Sequence, residues 1–255
     1  MANYDTLGNV VVVKFGRGAK VDYKRKFARE FLEKHKNTKT VLEKIDKFKG
    51  RLRTLKTKFI GGEKTKEVLY KENNTIFRFN VDSCYFSPRL ANERLEIAKM
   101  VKKKEEVLVM FGGVAPFAIV IAKFAKPKRV VSVELGRECS KYALENVKRN
   151  KVNVEIVQGD VRRVVPKLSG KFDRIVMARP NLKDSFLDVA FSKIKKNGIV
   201  HYYGFYKEAD IDKLKELVYS QALDVGKKIK IMGIRKAGDI GIRKYRYRVD
   251  IKVLN

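Results

Sequence analysis

Apolar residues follow two rhythms along this chain, and the change falls near residue 84. Before it, NVVVVKF reads as a strand, and DYKRKFAREFLEKH sets Tyr23, Phe27, Phe31 and Leu32 at helical spacing. EVLYKENNTIFRFNVD reads as strand, Asn-Asn turn, strand. These segments predict a small α+β domain over residues 1–83. After it, SPRLANERLEIAKMV reads as a helix. Ser87 is placed to cap it, Pro88 suits its first turn, and Leu90, Arg94, Ile97 and Met100 recur at three- and four-residue steps. The strands EVLVMF, RVVSVE, VEIVQG, DRIVMA and GIVHYYGF then alternate with the helices PFAIVIAKFA, RECSKYALENVKRN, DSFLDVAFSKIK and EADIDKLKELVYSQA. Near-continuous Val/Ile strands separated by helices predict an α/β domain over residues 84–255, its parallel sheet covered on both faces. KKIKIMGIRK and YRYRVDIKVL add two strands, read as a terminal hairpin.

Charge changes the picture from fold to partner. Lys and Arg total 59 against 29 acids, a formal net charge of +30, and the excess lies in both predicted domains. Such an excess repels itself and calls for an anionic partner. Nucleic acid is the leading choice, because phosphate contacts reward spread cations, and an anionic membrane surface is the rival. No apolar run approaches the ~20 residues needed to span a bilayer, and MANYDTLGN does not read as a signal peptide. Cys84 and Cys139 are far apart and match no metal spacing, so both are expected to be reduced thiols of a cytoplasmic protein. His35 and His201 are too few for a histidine-rich metal site, and no metal is expected. Abundant Lys and Glu with only two glutamines suit a thermophile.

Open parallel sheets bind ligands beyond the carboxyl ends of their strands, so four strand ends carry the candidate chemistry. MFGGVAPF, residues 110–117, has a glycine pair, Gly112 and Gly113, that serves a cofactor turn or a plain strand–helix turn equally well. It lacks the Lys-Ser/Thr of a phosphate-binding loop. Glu134 ends the second strand, where an acid accepts from ribose hydroxyls or starts a helix. Asp160 follows the third strand and reads as an adenine-side acid or a helix cap. RIVMARPNL ends the fourth at Ala178, Arg179 and Pro180. A glycine turn and two acids, without a phosphate-cradling lysine, suit a nucleoside cofactor, and S-adenosylmethionine carries no phosphate.

YFSPRLANER, the turn in VLVMFGGVAPF and the strand GIVHYYGF resemble the archaeal tRNA (guanine(37)-N(1))-methyltransferase family, which includes relatives that methylate 4-demethylwyosine at the same tRNA position. The likeness runs from residue 4 to the C-terminus. It implies a class I, Rossmann-like S-adenosylmethionine-dependent methyltransferase domain after a small α+β domain that helps bind tRNA. By this resemblance Glu93 is the general base and Arg51 steadies the carbonyl oxygen of the target base. Phe111, Gly112, Gly113, Val114, Glu134, Asp160, Val161, Ala178 and Pro180 hold the cofactor. Tyr85, Ser87, Arg89, Arg53 and Arg179 meet the substrate. Read without the resemblance, Glu93 is a surface ion pair, Arg51 a phosphate contact and Tyr85 a packing residue. Lys and Arg around RLRTLKTK and IRKYRYR are expected to hold phosphates, with Tyr245 and Tyr247 either stacking on bases or packing within a strand. The protein is expected to act as a monomer on the anticodon stem-loop.

Three positions depart from the family pattern. Val109 stands where the family has an acid, Ala115 where it has glycine, and Ala178 where it has the asparagine that helps hold the target base. The chain begins where the family's second domain begins, so the first domain is expected to be lacking. Nitrogen 1 of guanosine-37 and carbon 7 of 4-demethylwyosine-37, which yields isowyosine, compete as targets. A degenerate RNA-binding protein and an aminocarboxypropyl transferase of the wybutosine pathway are the alternatives.

Overall fold

The computed structural model describes residues 3–46 and 50–255; residues 1, 2 and 47–49 of the first predicted domain lie outside the described residues. Strands β1 (Asn3–Leu7), β2 (Val10–Lys14), β3 (Thr40–Lys44) and β4 (Thr57–Gly62) form one sheet in that order, with β2 and β3 parallel. Helix α1 (Val21–Lys34) covers one face. The run of valines in β2 is buried on both sides. Val11 and Val13 pack with Ala28 and Phe31 of α1, while Val10 and Val12 join the main core. β1 was not expected, because four of its five residues are exposed and show no apolar alternation.

Strands β5 (Glu67–Glu72) and β6 (Thr75–Asn80) form the predicted hairpin, and both turn residues, Asn73 and Asn74, adopt left-handed backbone with φ of 43° and 50°. Two-residue hairpin turns of this type require positive φ at both positions, which asparagine tolerates. The hairpin bridges the two halves of the molecule through side-chain amides. Asn9 donates to the carbonyl of Glu67 at 3.2 Å and accepts from the amide of Leu69 at 2.6 Å. On the other strand, Asn146 and Asn150 each bond both backbone groups of one residue, Arg78 and Ile76 respectively.

The helix predicted from Ser87 is divided. Pro88–Leu90 form one tight 3-10 turn, and helix α2 runs from Ala91 to Met100. The Ser87 hydroxyl makes no cap, contrary to expectation. Its carbonyl instead accepts from Arg94, a buried residue ion-paired with Glu72.

The large sheet contains β7 (Glu106–Met110), β8 (Arg129–Glu134), β9 (Glu155–Gln158), β10 (Phe172–Met177), β11 (Ile194–Lys207), β12 (Ile229–Gly241) and β13 (Lys244–Val253). Its order is β9-β8-β7-β10-β11-β13-β12, parallel except where β13 enters. Helices α3 (Pro116–Ala125), α4 (Arg137–Asn150), α5 (Val161–Val164), α6 (Leu187–Lys193) and α7 (Ile211–Asp224) complete the chain. Alternate residues divide between two cores: Val107, Val109 and Val176 pack with α2 and α3, while Leu108, Met110, Ile175 and Met177 pack with α6 and α7. Helix α6 is shorter than the pattern predicts, and the chain passes straight into β11 at Ile194.

The expectation of two reduced cysteines is overturned. Cys84 and Cys139 form a disulfide with Cα atoms 5.5 Å apart. Docking of the hairpin against α4 brings the exit of β6 to the first turn of that helix, a proximity that sequence spacing does not reveal. No helix among the described residues is long and apolar enough to cross a membrane.

Candidate active site

Chain order reverses between β7 and β10, and a cavity opens beyond the ends of these strands. Its empty volume is about 940 Å³, part of it open to solvent. The switch point of an open α/β sheet is where such folds bind ligands.

The β7 turn explains its own glycines. Phe111, Gly113 and Ala115 all have left-handed backbone, with φ of 62°, 57° and 64°. Gly112 lies so close to β8 that an added Cβ would stand 2.1 Å from the Ser132 hydroxyl. Glu134 ties this turn to the next. One carboxylate oxygen accepts from the Gly113 amide and the other from the Gly136 amide, both at 2.7 Å. Burial pushes the Glu134 carboxyl up from its ordinary range, opposed by these backbone bonds. Asp160 caps α5 by accepting from the Arg162 amide at 2.9 Å, and its other oxygen accepts from Arg51 at 2.7 Å. The Arg51 guanidinium is the main reason the Asp160 carboxyl is held below its ordinary range.

The opposite side of the cavity is aromatic and basic. The Arg53 guanidinium lies 4.0 Å from the centre of the Tyr85 ring, and both line the cavity with Phe117, Tyr203 and Arg246. Burial lowers the Arg53 guanidinium from its ordinary value; Tyr85 opposes this and Arg246 adds to it. Ala178, Pro180 and Leu182, from the segment after β10, also line the cavity.

Of the expected site residues, the structure brings Arg51, Arg53, Tyr85, Phe111, Gly113, Glu134, Asp160, Val161, Ala178, Arg179 and Pro180 to this one cavity. Gly112 and Val114 stand behind it as parts of the turn, Val114 fully buried. Ser87 and Arg89 border a second crevice beyond Tyr85, where Arg89 pairs with Asp5 at 3.0 Å. Arg179 is buried, and its guanidinium turns back to the carbonyls of Leu182 and Asp184 and to the Tyr202 hydroxyl, so it fastens the loop after β10. Arg51 faces Asp160 on the carboxylate side rather than the Tyr85 side.

Glu93 does not line the cavity. It is 5% exposed and sits behind Tyr203, whose hydroxyl donates to it at 2.8 Å. Arg248 donates to the same oxygen at 2.8 Å, and Arg235 pairs with the other oxygen. Burial pushes the Glu93 carboxyl up, but the bonds from Arg235, Tyr203 and Arg248 outweigh it and hold the group below its ordinary range. The same cluster withdraws Arg248 from the expected phosphate-binding set, and Arg248 also meets Asp250 at 3.0 Å. Arg246, on the same face of β13 by strand alternation, is largely buried and lines the cavity instead. Tyr247 is buried by strand packing, edge-on to Tyr245. Tyr203 and Arg235 are not among the expected site residues, and Arg248 was expected on phosphates; the two-residue spacing of Arg246, Arg248 and Asp250 marks one face, but not which helix covers it.

A Rossmann-like sheet, a glycine turn and two carboxylates around a cavity without a phosphate cradle define a class of transferases that use a nucleoside cofactor. The TRM5/TYW2 methyltransferase domain matches residues 68–230. The tRNA (guanine(37)-N(1))-methyltransferase Trm5b of Pyrococcus abyssi is 35% identical over 257 residues, spanning 98% of this chain and 74% of that protein. Its crystal structure superposes with a TM-score of 0.87 over 99% of this chain and 75% of that one. A tRNA (guanine(37)-N(1))/4-demethylwyosine(37)-methyltransferase, Taw22 of Nanoarchaeum equitans, is 32% identical over 308 residues, spanning 99% of this chain and 100% of that protein. A complex of aTrm5 with tRNALeu superposes with a TM-score of 0.85 at 27% identity, covering 99% of this chain and 72% of that one. The chain therefore belongs to the TRM5/TYW2 methyltransferase family.

Proposed function

We propose that this S-adenosylmethionine-dependent tRNA methyltransferase acts on the purine at position 37, at nitrogen 1 of guanosine and at carbon 7 of 4-demethylwyosine. The observation that carries the reading is a single cavity lined both by the carboxylates Glu134 and Asp160 and by the Arg53–Tyr85 pair, with Ala178 in the same lining.

The donor set fits the cofactor. Glu134 offers acceptors for ribose hydroxyls, Asp160 and Val161 suit the adenine end, and Phe111 and Gly113 of the β7 turn line the same cavity. When bound there, the cofactor supplies an activated methyl group on a sulfonium. The protein aligns that methyl with the nucleophile and manages one proton. Guanine nitrogen 1 becomes nucleophilic as its proton leaves and negative charge on the neighbouring oxygen is stabilised. Glu93 takes the proton. Arg53, held against Tyr85, stabilises the oxygen, and Arg51 orders the cofactor side through Asp160. To reach this cavity the base leaves the anticodon-loop stack.

Ala178 favours acceptance of the larger base as well. A methyl group in place of the family's amide leaves more room and removes one hydrogen-bond demand on the guanine edge. The deciding experiment is mass spectrometry of nucleoside 37 after reaction with two tRNAs, one carrying guanosine and one 4-demethylwyosine. A methyl gain on both is expected. No gain on either would overturn the reading, gain on one alone would remove the dual assignment, and gain of an aminocarboxypropyl group would replace it.

A further inference from the structure

The proposed base is separated from the cavity it serves. Glu93 forms no part of the cavity wall, whereas Tyr203, itself only 1% exposed to bulk solvent and hydrogen-bonded to Glu93 at 2.8 Å, does. We propose that Tyr203 is a catalytic residue that relays the target's proton to Glu93. This rests on the reading above that Glu93 is the final acceptor.

The step balances as a double transfer. The N1–H bond of guanine breaks as nitrogen 1 takes the methyl, and its electron pair becomes the new N–C bond. The released proton binds the Tyr203 oxygen. At the same time the original Tyr203 proton passes to Glu93 Oε1. Tyr203 ends as a neutral phenol and Glu93 as a neutral carboxylic acid. The sulfonium's positive charge is lost as the C–S electron pair stays on sulfur, and this matches the negative charge lost from Glu93.

The surroundings suit a relay. Tyr203 sits on β11 beside β10, whose end supplies Ala178 and Pro180 to the same wall. Burial and the Glu93 carboxylate push the phenol well above its ordinary value, so it keeps a proton to pass on rather than standing as a tyrosinate. The guanidiniums that keep Glu93 ionised are not stranded when it is neutralised. Arg248 also bonds Asp250 at 3.0 Å and Glu96 at 3.2 Å, and Arg235 also pairs with Glu96. The anions needed after the transfer are in place before it.

The test is single-turnover methyl transfer to a guanosine-37 transcript by the wild type, Tyr203→Phe, Glu93→Gln and the double variant. S-adenosylmethionine and tRNA affinities are measured in parallel. The expected result for Tyr203→Phe is a rate loss of about 10²-fold or more at unchanged affinities, with the double variant no slower than the slower single. A proton inventory in mixed H₂O and D₂O should be bowed in the wild type, showing two protons in flight. Tyr203→Phe within about twofold of wild type, while Glu93→Gln is slow, overturns the relay and leaves Glu93 as base. Wild-type rates for Glu93→Gln overturn the underlying reading. If the phenylalanine variant fails to fold, fluorotyrosine at position 203 keeps the bond to Glu93 and changes only phenol acidity. A rate that follows that acidity supports the relay, and an indifferent rate overturns it.

Discussion

Two arginines only two residues apart, Arg51 and Arg53, divide the cavity between them. Arg51 bonds Asp160, the cap of α5, whereas Arg53 sits over the Tyr85 ring. The left-handed backbone of Arg53, φ 52°, belongs to the turn that sends the two side chains to different sides. Removing a donor aimed at developing oxyanion charge costs about 10²–10³ in rate. Arg53→Ala is therefore expected to cut single-turnover methylation by about that factor at unchanged cofactor affinity. Arg51→Ala is expected to free Asp160 and raise the cofactor KM more than it lowers turnover. The opposite pattern in steady-state and single-turnover kinetics would return the carbonyl role to Arg51. From sequence, both residues were legible as basic positions in one short stretch. Their partners were not, because Asp160 lies 109 residues away and only the folded sheet brings it alongside.

Elements divide in the same way between what local pattern dictates and what docking decides. The Asn73-Asn74 turn, the parallel strands and the strand-end turn follow from periodicity and backbone preference, and the structure has them where the sequence puts them. The capping of α2, the short α6 and the pairing of Cys84 with Cys139 depend on neighbours, which local sequence pattern does not carry. The disulfide fastens the segment leading to Tyr85 onto α4, across 55 residues of chain. Closing a loop of that length stabilises a fold by about 4 kcal/mol in the chain-entropy account. Cys84→Ala or full reduction is expected to lower unfolding stability by about 2–4 kcal/mol, measured by denaturant titration with and without reductant. An unchanged midpoint would show that the hairpin–α4 contact alone fixes this segment.

At the scale of the whole molecule, charge separates into an interior and an exterior population. Arg94, Arg174 and Arg248 are buried and neutralised by Glu72, Glu105 and Glu93, so they are unavailable to phosphates. Most of the +30 excess still faces outward, and Arg243, Lys56 and Lys58 remain exposed within the two basic stretches noted in the sequence. tRNA affinity is expected to fall linearly on a log–log plot against salt, by about 0.7–0.9 decades per decade of salt for each phosphate contacted. Filter binding between low and physiological salt checks this, and a flat line would remove the electrostatic basis for tRNA binding. The bridging hairpin has a consequence of another kind. A two-stranded ribbon is marginal on its own, and its open edges invite other chains to add strands. Here Asn9 occupies backbone groups on the outer edge of β5, and Asn146 and Asn150 occupy those of β6. Three amide side chains thus stand in for the missing neighbouring strands. They guard the ribbon against intermolecular β-stacking, the route by which crowded or heated protein is lost to aggregates.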